Sequence, residues 1–123
     1  DLLDALTGTF DLIVANPPYM LDRSARTYRH GGGALGAELS LRIVEQGCER
    51  LSRHGTLLLY TGVAIVDGRD ALLEAIRLRL AGPQWAWVYR EIDPDVFGEQ
   101  LAEPGYEQVE RIAAVALTVT RHR

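Results

Sequence analysis

A single cysteine, Cys48, stands in the 123-residue sequence, so neither a disulfide framework nor a zinc-ligand spacing is available. Basic residues are in the minority: 13 against 17 acidic ones leave a formal net charge of −4. Broad nucleic-acid binding relies on basic surface, and this balance argues against it, while leaving room for a nucleic-acid substrate held by another segment. No apolar run is long enough to span a membrane and no secretory leader pattern opens the chain, so a cytoplasmic protein without membrane contact is expected. Nucleophile–base chemistry lacks its parts as well. Ser24, Ser40 and Ser52 have no supporting pattern, and His30, His54 and His122 are scattered, with no metal-binding spacing. Internal repeats are absent. The apolar share, 47%, is enough for a core, and the length suits one domain.

What the chain does have is the stretch Asp11 to Tyr19, where an apolar run breaks off into Asn16-Pro17-Pro18-Tyr19. Leu12 to Ala15 shows no polar alternation, the pattern of a parallel strand buried on both faces. Pro17 ends it, because proline cannot donate to a ladder and drives the preceding residue toward an extended conformation. The carboxyl end of such a strand is where open α/β sheets bind ligands. Neither Pro17 nor Pro18 has an amide N–H, so backbone carbonyls here meet few competing local donors. The Asn16 side-chain oxygen and a neighbouring carbonyl can converge as two acceptors on one planar –NH2 group, with Tyr19 as a flat face for stacking. An amide or exocyclic amine is a poor nucleophile because its lone pair is delocalised. Acceptors placed where positive charge develops on that nitrogen favour its attack. The plainer reading is a proline-rich turn between a strand and a surface loop.

The Asn-Pro-Pro-Tyr sequence after a strand resembles motif IV of the class I S-adenosylmethionine-dependent amino-methyltransferases, which act on adenine N6, guanine N2 or glutamine N5. The stretch from Asp11 to Tyr19, with the glycine-rich loop and helix that follow, is most similar to the glutamine-N5 and small-domain rRNA branches. The resemblance covers much of the chain in element order, but only these nine residues are specific. It implies S-adenosylmethionine as cofactor and a protein or nucleic-acid substrate carrying the target amino group. By the same likeness Asn16 and the Pro17 carbonyl grip that group, Asn16 also borders the cofactor, Pro18 completes the catalytic loop and Tyr19 packs on the plane of the acceptor. No strand–Gly-x-Gly–helix unit precedes Asp11, and Gly31-Gly32-Gly33 comes after the motif strand. The expectation is therefore the carboxyl-terminal half of a Rossmann-like doubly wound methyltransferase sheet, residues 1–123 forming a partial catalytic domain without the glycine-rich cofactor half.

Along the chain, Asp1 to Leu6 suits the tail of a helix, with Thr7-Gly8-Thr9 as a turn. Met20 to Gly36 lacks periodicity and reads as a long loop, functional or disordered, with Arg23 to Gly36 expected as the most mobile part of the fold. Its Arg23, Arg26, Arg29 and His30 suit an acidic or phosphate-bearing substrate, with Arg26 and Arg29 as binding candidates, or equally a solvated loop. Ala37 to Arg53 has helical spacing, with Leu39, Ile43, Gly47 and Leu51 in one row, Val44 and Cys48 beside it, and His54-Gly55 as the stop. Cys48 is expected as a small buried hydrophobe. Thr56 to Val66 reads as a second apolar strand, whose Tyr60 and Thr61 either border the Asn16 crevice or pack in the core. Asp67 suits a helix N-cap with Asp70 three residues on. The helix then runs to about Ala81 on a stripe of Leu72, Ile76 and Leu80. Trp85 to Ile92 alternates as a strand, Phe97 to Arg111 as a link with a short helix, and Ile112 to Thr120 as a last strand. The order fits a doubly wound α/β sheet, and the resemblance adds that the last strand lies antiparallel beside the preceding one.

Two functions of different class follow. The first is methyl transfer to a planar amino nitrogen, in which alignment matters more than acid–base catalysis. A duplex nucleobase would also have to be flipped into the loop, and the acidic balance favours protein or RNA over duplex DNA. The second is a non-catalytic Rossmann-like binding or assembly module. A dinucleotide oxidoreductase is weaker, because its glycine fingerprint is missing.

Overall fold

The computed structural model of the protein describes residues 7–17, 37–93 and 111–123. The expected helix tail at Asp1–Leu6, the loop at 20–36 and the link at 97–110 lie outside these residues. Seven elements follow in order: β1 (Phe10–Ala15), α1 (Ala37–Arg50), β2 (Leu51–Val66), β3 (Arg69–Asp70), α2 (Ala71–Arg79), β4 (Trp85–Asp93) and β5 (Arg111–Arg121).

The main strands lie in the order β1-β2-β5-β4. β1 pairs parallel with β2, whereas β5 runs antiparallel to both β2 and β4. Three strands therefore point one way, and the last strand is inserted between two of them in reverse. It lies beside β4, as expected, and separates β4 from β2. Its composition suits the place. Ile112 to Val115 are all buried, and alternating Ala, Val and Thr fit between two neighbours without crowding.

Both helices pack on one face of the sheet. Val44 and Cys48 of α1, and Leu72 and Ile76 of α2 with Leu80 at its end, meet Leu57, Leu59, Val63 and Ile65 of β2 and Val115, Leu117 and Val119 of β5 in one core. Trp85, Trp87 and Tyr89 close the core along β4, on the alternation expected for that strand. The Leu72, Ile76 and Leu80 stripe is buried as expected. In α1 the buried line runs through Ala37, Ser40, Val44, Gly47 and Cys48. The expected row is rotated, so that Leu39 and Ile43 flank it and only Gly47 lies at its centre. Gly47 lets the helix approach closely: a Cβ there would sit 3.3 Å from a methyl of Leu57.

Expectation and structure differ in three further places. Leu12 and Val14 are 58% and 65% exposed, so the β1 run is covered on its helix face only, by contacts through Ile13 and Ala15. α1 stops at Arg50 rather than Arg53, because Leu51 already pairs with Phe10. The next bridge is Leu12 to Thr56, and the extra residues of β2 bulge out between the two. His54, not Gly55, takes the left-handed conformation in that bulge, with φ 70°. Gly55 is required for another reason: a Cβ would lie 2.9 Å from both the Phe10 and Ser52 carbonyl oxygens. Finally, Asp70 and not Asp67 caps α2, accepting from the Leu73 N–H at 2.9 Å. Asp67 and Gly68, with φ 53° and 71°, instead make the two-residue hairpin between β2 and β3. Such a turn needs positive φ at both positions, which Asp-Gly supplies readily.

Candidate functional site

The candidate site arises where β1 stops and β2 continues. The last β1 bridge joins Ala15 to Leu59, but β2 runs on to Val66. Ile65 pairs with Arg111 of β5 on one edge and with Asp70 of β3 on the other. β1 and β3 therefore occupy the same edge of β2, and between them lies a notch. Among the described residues, Tyr60 to Ala64 have no strand partner along that edge. The notch opens at the carboxyl end of β1, and the chain leaves β1 into it through Asn16 and Pro17.

Strand alternation sorts the side chains at the notch. Ile13, Ala15, Leu57, Leu59 and Thr61 face the helices; Leu12, Val14, Leu58 and Tyr60 face the opposite side. Asn16 is exposed and stands one residue beyond the last bridge, where the same register, continued, falls on Tyr60. Pro17 is half-buried. Tyr60 is 46% exposed, and Thr61 next to it only 3%. The two readings left open for this pair therefore divide. Thr61 belongs to the packed interior, where its hydroxyl accepts from Ser40 Oγ at 3.4 Å. Tyr60 belongs to the open face. Ser40 sits in the first turn of α1, so its contact with Thr61 pins the helix start at the same notch.

Of the other expected site residues, Pro18, Tyr19, Arg26 and Arg29 lie outside the described residues. Among the described residues no cluster of His, Cys, Asp or Glu is arranged to hold a metal, and no helix is long and apolar enough to cross a membrane. Cys48 is buried in the core, where loss of hydration pushes its thiol up to about 11, with Arg79 opposing and Glu49 adding to the rise. It stays protonated and carries no chemistry at neutral pH. A polar cluster that the sequence did not reveal lies at the far side of β3. The Tyr89 hydroxyl donates to Asp70 Oδ2 at 2.5 Å while Asp70 Oδ1 caps α2. Burial and then this carboxylate drive the Tyr89 pKa far above the ordinary tyrosine value. The only signal for it was the Asp-x-x-Asp spacing, which pointed to the wrong aspartate.

No family model matches the chain. Its sequence is 34% identical over 109 residues to the release factor glutamine methyltransferase of Deinococcus radiodurans, covering 80% of this chain and 36% of that protein. It is 35% identical over 82 residues to the ribosomal protein uL3 glutamine methyltransferase of Neisseria gonorrhoeae, covering 58% of this chain and 26% of the relative. A methyltransferase from Pyrococcus furiosus overlays on 94% of the chain and 42% of its own length, with 20% identity and a TM-score of 0.49. The chain is thus similar in sequence to glutamine methyltransferases and spans about a quarter to a third of the length of these curated relatives.

Proposed function

We propose that the protein containing this chain is a class I S-adenosylmethionine-dependent N-methyltransferase, and that this chain supplies its acceptor-gripping part. The observation that carries the reading is Asn16, an exposed amide held at the carboxyl end of a parallel strand, where the neighbouring strand runs past it. The proposed acceptor is the side-chain amide of a protein glutamine. The relatives named for glutamine methylation support this substrate over a nucleobase, as does the net charge of −4.

The residues present suit such an acceptor in their chemistry. Bound S-adenosylmethionine supplies a methyl group already activated by its sulfonium. What remains for the protein is alignment and stabilisation of charge on the attacking nitrogen. Asn16 Oδ1 accepts one N–H of the acceptor amide, and the Pro17 carbonyl, next to a residue without an N–H, accepts the other. As the nitrogen attacks, its hydrogens become more acidic and both bonds strengthen, so the pair stabilises the transition state more than the ground state. Pro18 fixes the loop and Tyr19 covers the amide plane in the same reading.

The test is methyl incorporation from labelled S-adenosylmethionine, using full-length protein with glutamine-bearing release factor and ribosomal protein uL3 as acceptors and RNA as the comparison. Transfer to a glutamine is expected. Asn16→Ala should lower turnover roughly a hundred- to thousand-fold, the effect of losing one preorganised hydrogen-bonding partner, with cofactor affinity much less changed. Transfer to RNA alone would overturn the glutamine assignment. Near-normal turnover of Asn16→Ala per folded molecule would overturn the assignment of the amino grip.

A further inference from the structure

We propose that Tyr60 is a substrate-contacting residue, its ring forming the side wall that holds the edge and stem of the acceptor amide beside Asn16. The proposal rests on the methyltransferase reading above and adds a residue and a surface to it. Three observations converge on Tyr60. The parallel register of β1 and β2, continued one residue past the Ala15–Leu59 bridge, brings Asn16 level with Tyr60 in the next strand. Neighbouring strands stand about 4.8 Å apart, close enough for one small planar group to touch both residues. Among the residues of the notch it is the exposed one, because Thr61, Gly62, Val63 and Ala64 are all buried. And its own face changes character at this point. Beyond Tyr60, Gly62 and Ala64 lie beside Ala114 and Ile112, all of them covered. Behind it, Leu58 and Val14 are open. Tyr60 thus stands at the rim of the covered part, next to the amide.

The required chemistry is modest. A primary amide is flat, and its N–H groups are taken by oxygen acceptors. One face carries Tyr19 in the reading above and the other stays open to the methyl, so its edge and stem are what need a rigid surface that excludes water without competing for those hydrogens. An aromatic ring does this and fixes the orientation of the plane. The phenol oxygen has no part in it, so the ring and not the hydroxyl should matter.

The experiment uses the full-length protein and the variants Tyr60→Phe, Tyr60→Leu and Tyr60→Ala, measuring acceptor KM, cofactor KM and thermal midpoint for each. Tyr60→Phe should stay within about twofold of the unaltered protein. Tyr60→Ala and Tyr60→Leu should both raise acceptor KM about three- to tenfold, the scale of an aromatic contact, with cofactor KM unchanged. A packing role predicts a different order, with leucine replacing tyrosine well and activity following the thermal midpoint; that result would overturn the proposal. Absence of methyl transfer by the unaltered protein would overturn the methyltransferase reading and this one together. A strong Asn16→Ala defect with unchanged acceptor KM in Tyr60→Ala would overturn the Tyr60 assignment alone.

Discussion

Asn16 and Cys48 show how differently single residues report on themselves. Asn16 was legible in the sequence because a polar amide between an apolar run and two prolines has no packing purpose, and it does stand exposed at the strand end. Cys48 was legible for the opposite reason, since its helical spacing placed it among apolar neighbours, and it is buried. Its thiol, pushed up to about 11, should not react with a disulfide reagent at pH 8 while the chain is folded. Labelling should appear only in denaturant, and rapid stoichiometric labelling of the native chain would contradict the burial. Tyr60 and Thr61 were not legible. The run Leu57 to Val66 is apolar but for Thr61 and Gly62, so it carries no alternation to say which of two adjacent residues faces the core. Only the register with β1 and the Ser40–Thr61 contact decide it.

Elements were easier to find than their ends, and the ends are where backbone geometry outweighs side-chain pattern. The His54-Gly55 pair looked like a helix stop, yet α1 had already given way to strand pairing at Leu51, and Gly55 serves a close approach between backbones. Gly55→Ala should therefore destabilise by roughly 1–3 kcal/mol, the cost of forcing extra volume against fixed atoms. A chemical denaturation midpoint measures it, and an unchanged midpoint would show that β1 and β2 can spread. The junction of β3, α2 and β4 depends on Asp70, which holds the Leu73 amide and the Tyr89 hydroxyl at once. Tyr89 holds its proton more firmly folded than unfolded. Its contribution to stability is thus complete below the ordinary tyrosine value of 10.0 and is lost as pH rises above it. The unaltered chain should lose stability progressively above about pH 10. Tyr89→Phe should flatten that part of the profile, while being less stable near neutrality by about 0.5–1.5 kcal/mol or somewhat more for the lost bond to a carboxylate. Parallel alkaline profiles for both proteins would mean that Tyr89 ionises freely in the fold.

At the scale of the whole molecule, the α/β order and the reversed last strand were legible, the first from alternating strand and helix patterns, the second through the family resemblance. What the sequence misjudged was coverage. An apolar run without alternation implies two buried faces, but the described structure covers the β1 and β2 sheet on the helix side, leaving Leu12, Val14, Leu58 and Tyr60 open on the other. The two faces should then differ sharply in what they contribute to this 123-residue chain. Leu57→Ala, on the covered face, should cost about 2–5 kcal/mol, through lost transfer energy and the cavity left behind. Val14→Thr, on the open face, should stay within about 0.5 kcal/mol, because threonine suits a strand and no packed neighbour is lost. The same Val14→Thr change in a longer protein tests whether further chain covers this face. If it does, the substitution places a hydroxyl in an apolar contact and becomes destabilising by about 1–3 kcal/mol. Paired denaturation curves, in the 123-residue chain and in the full-length protein, separate the cases. A large Val14→Thr loss in the short chain would mean that its open face is already packed, whereas equal small losses in both would mean that the face stays in water.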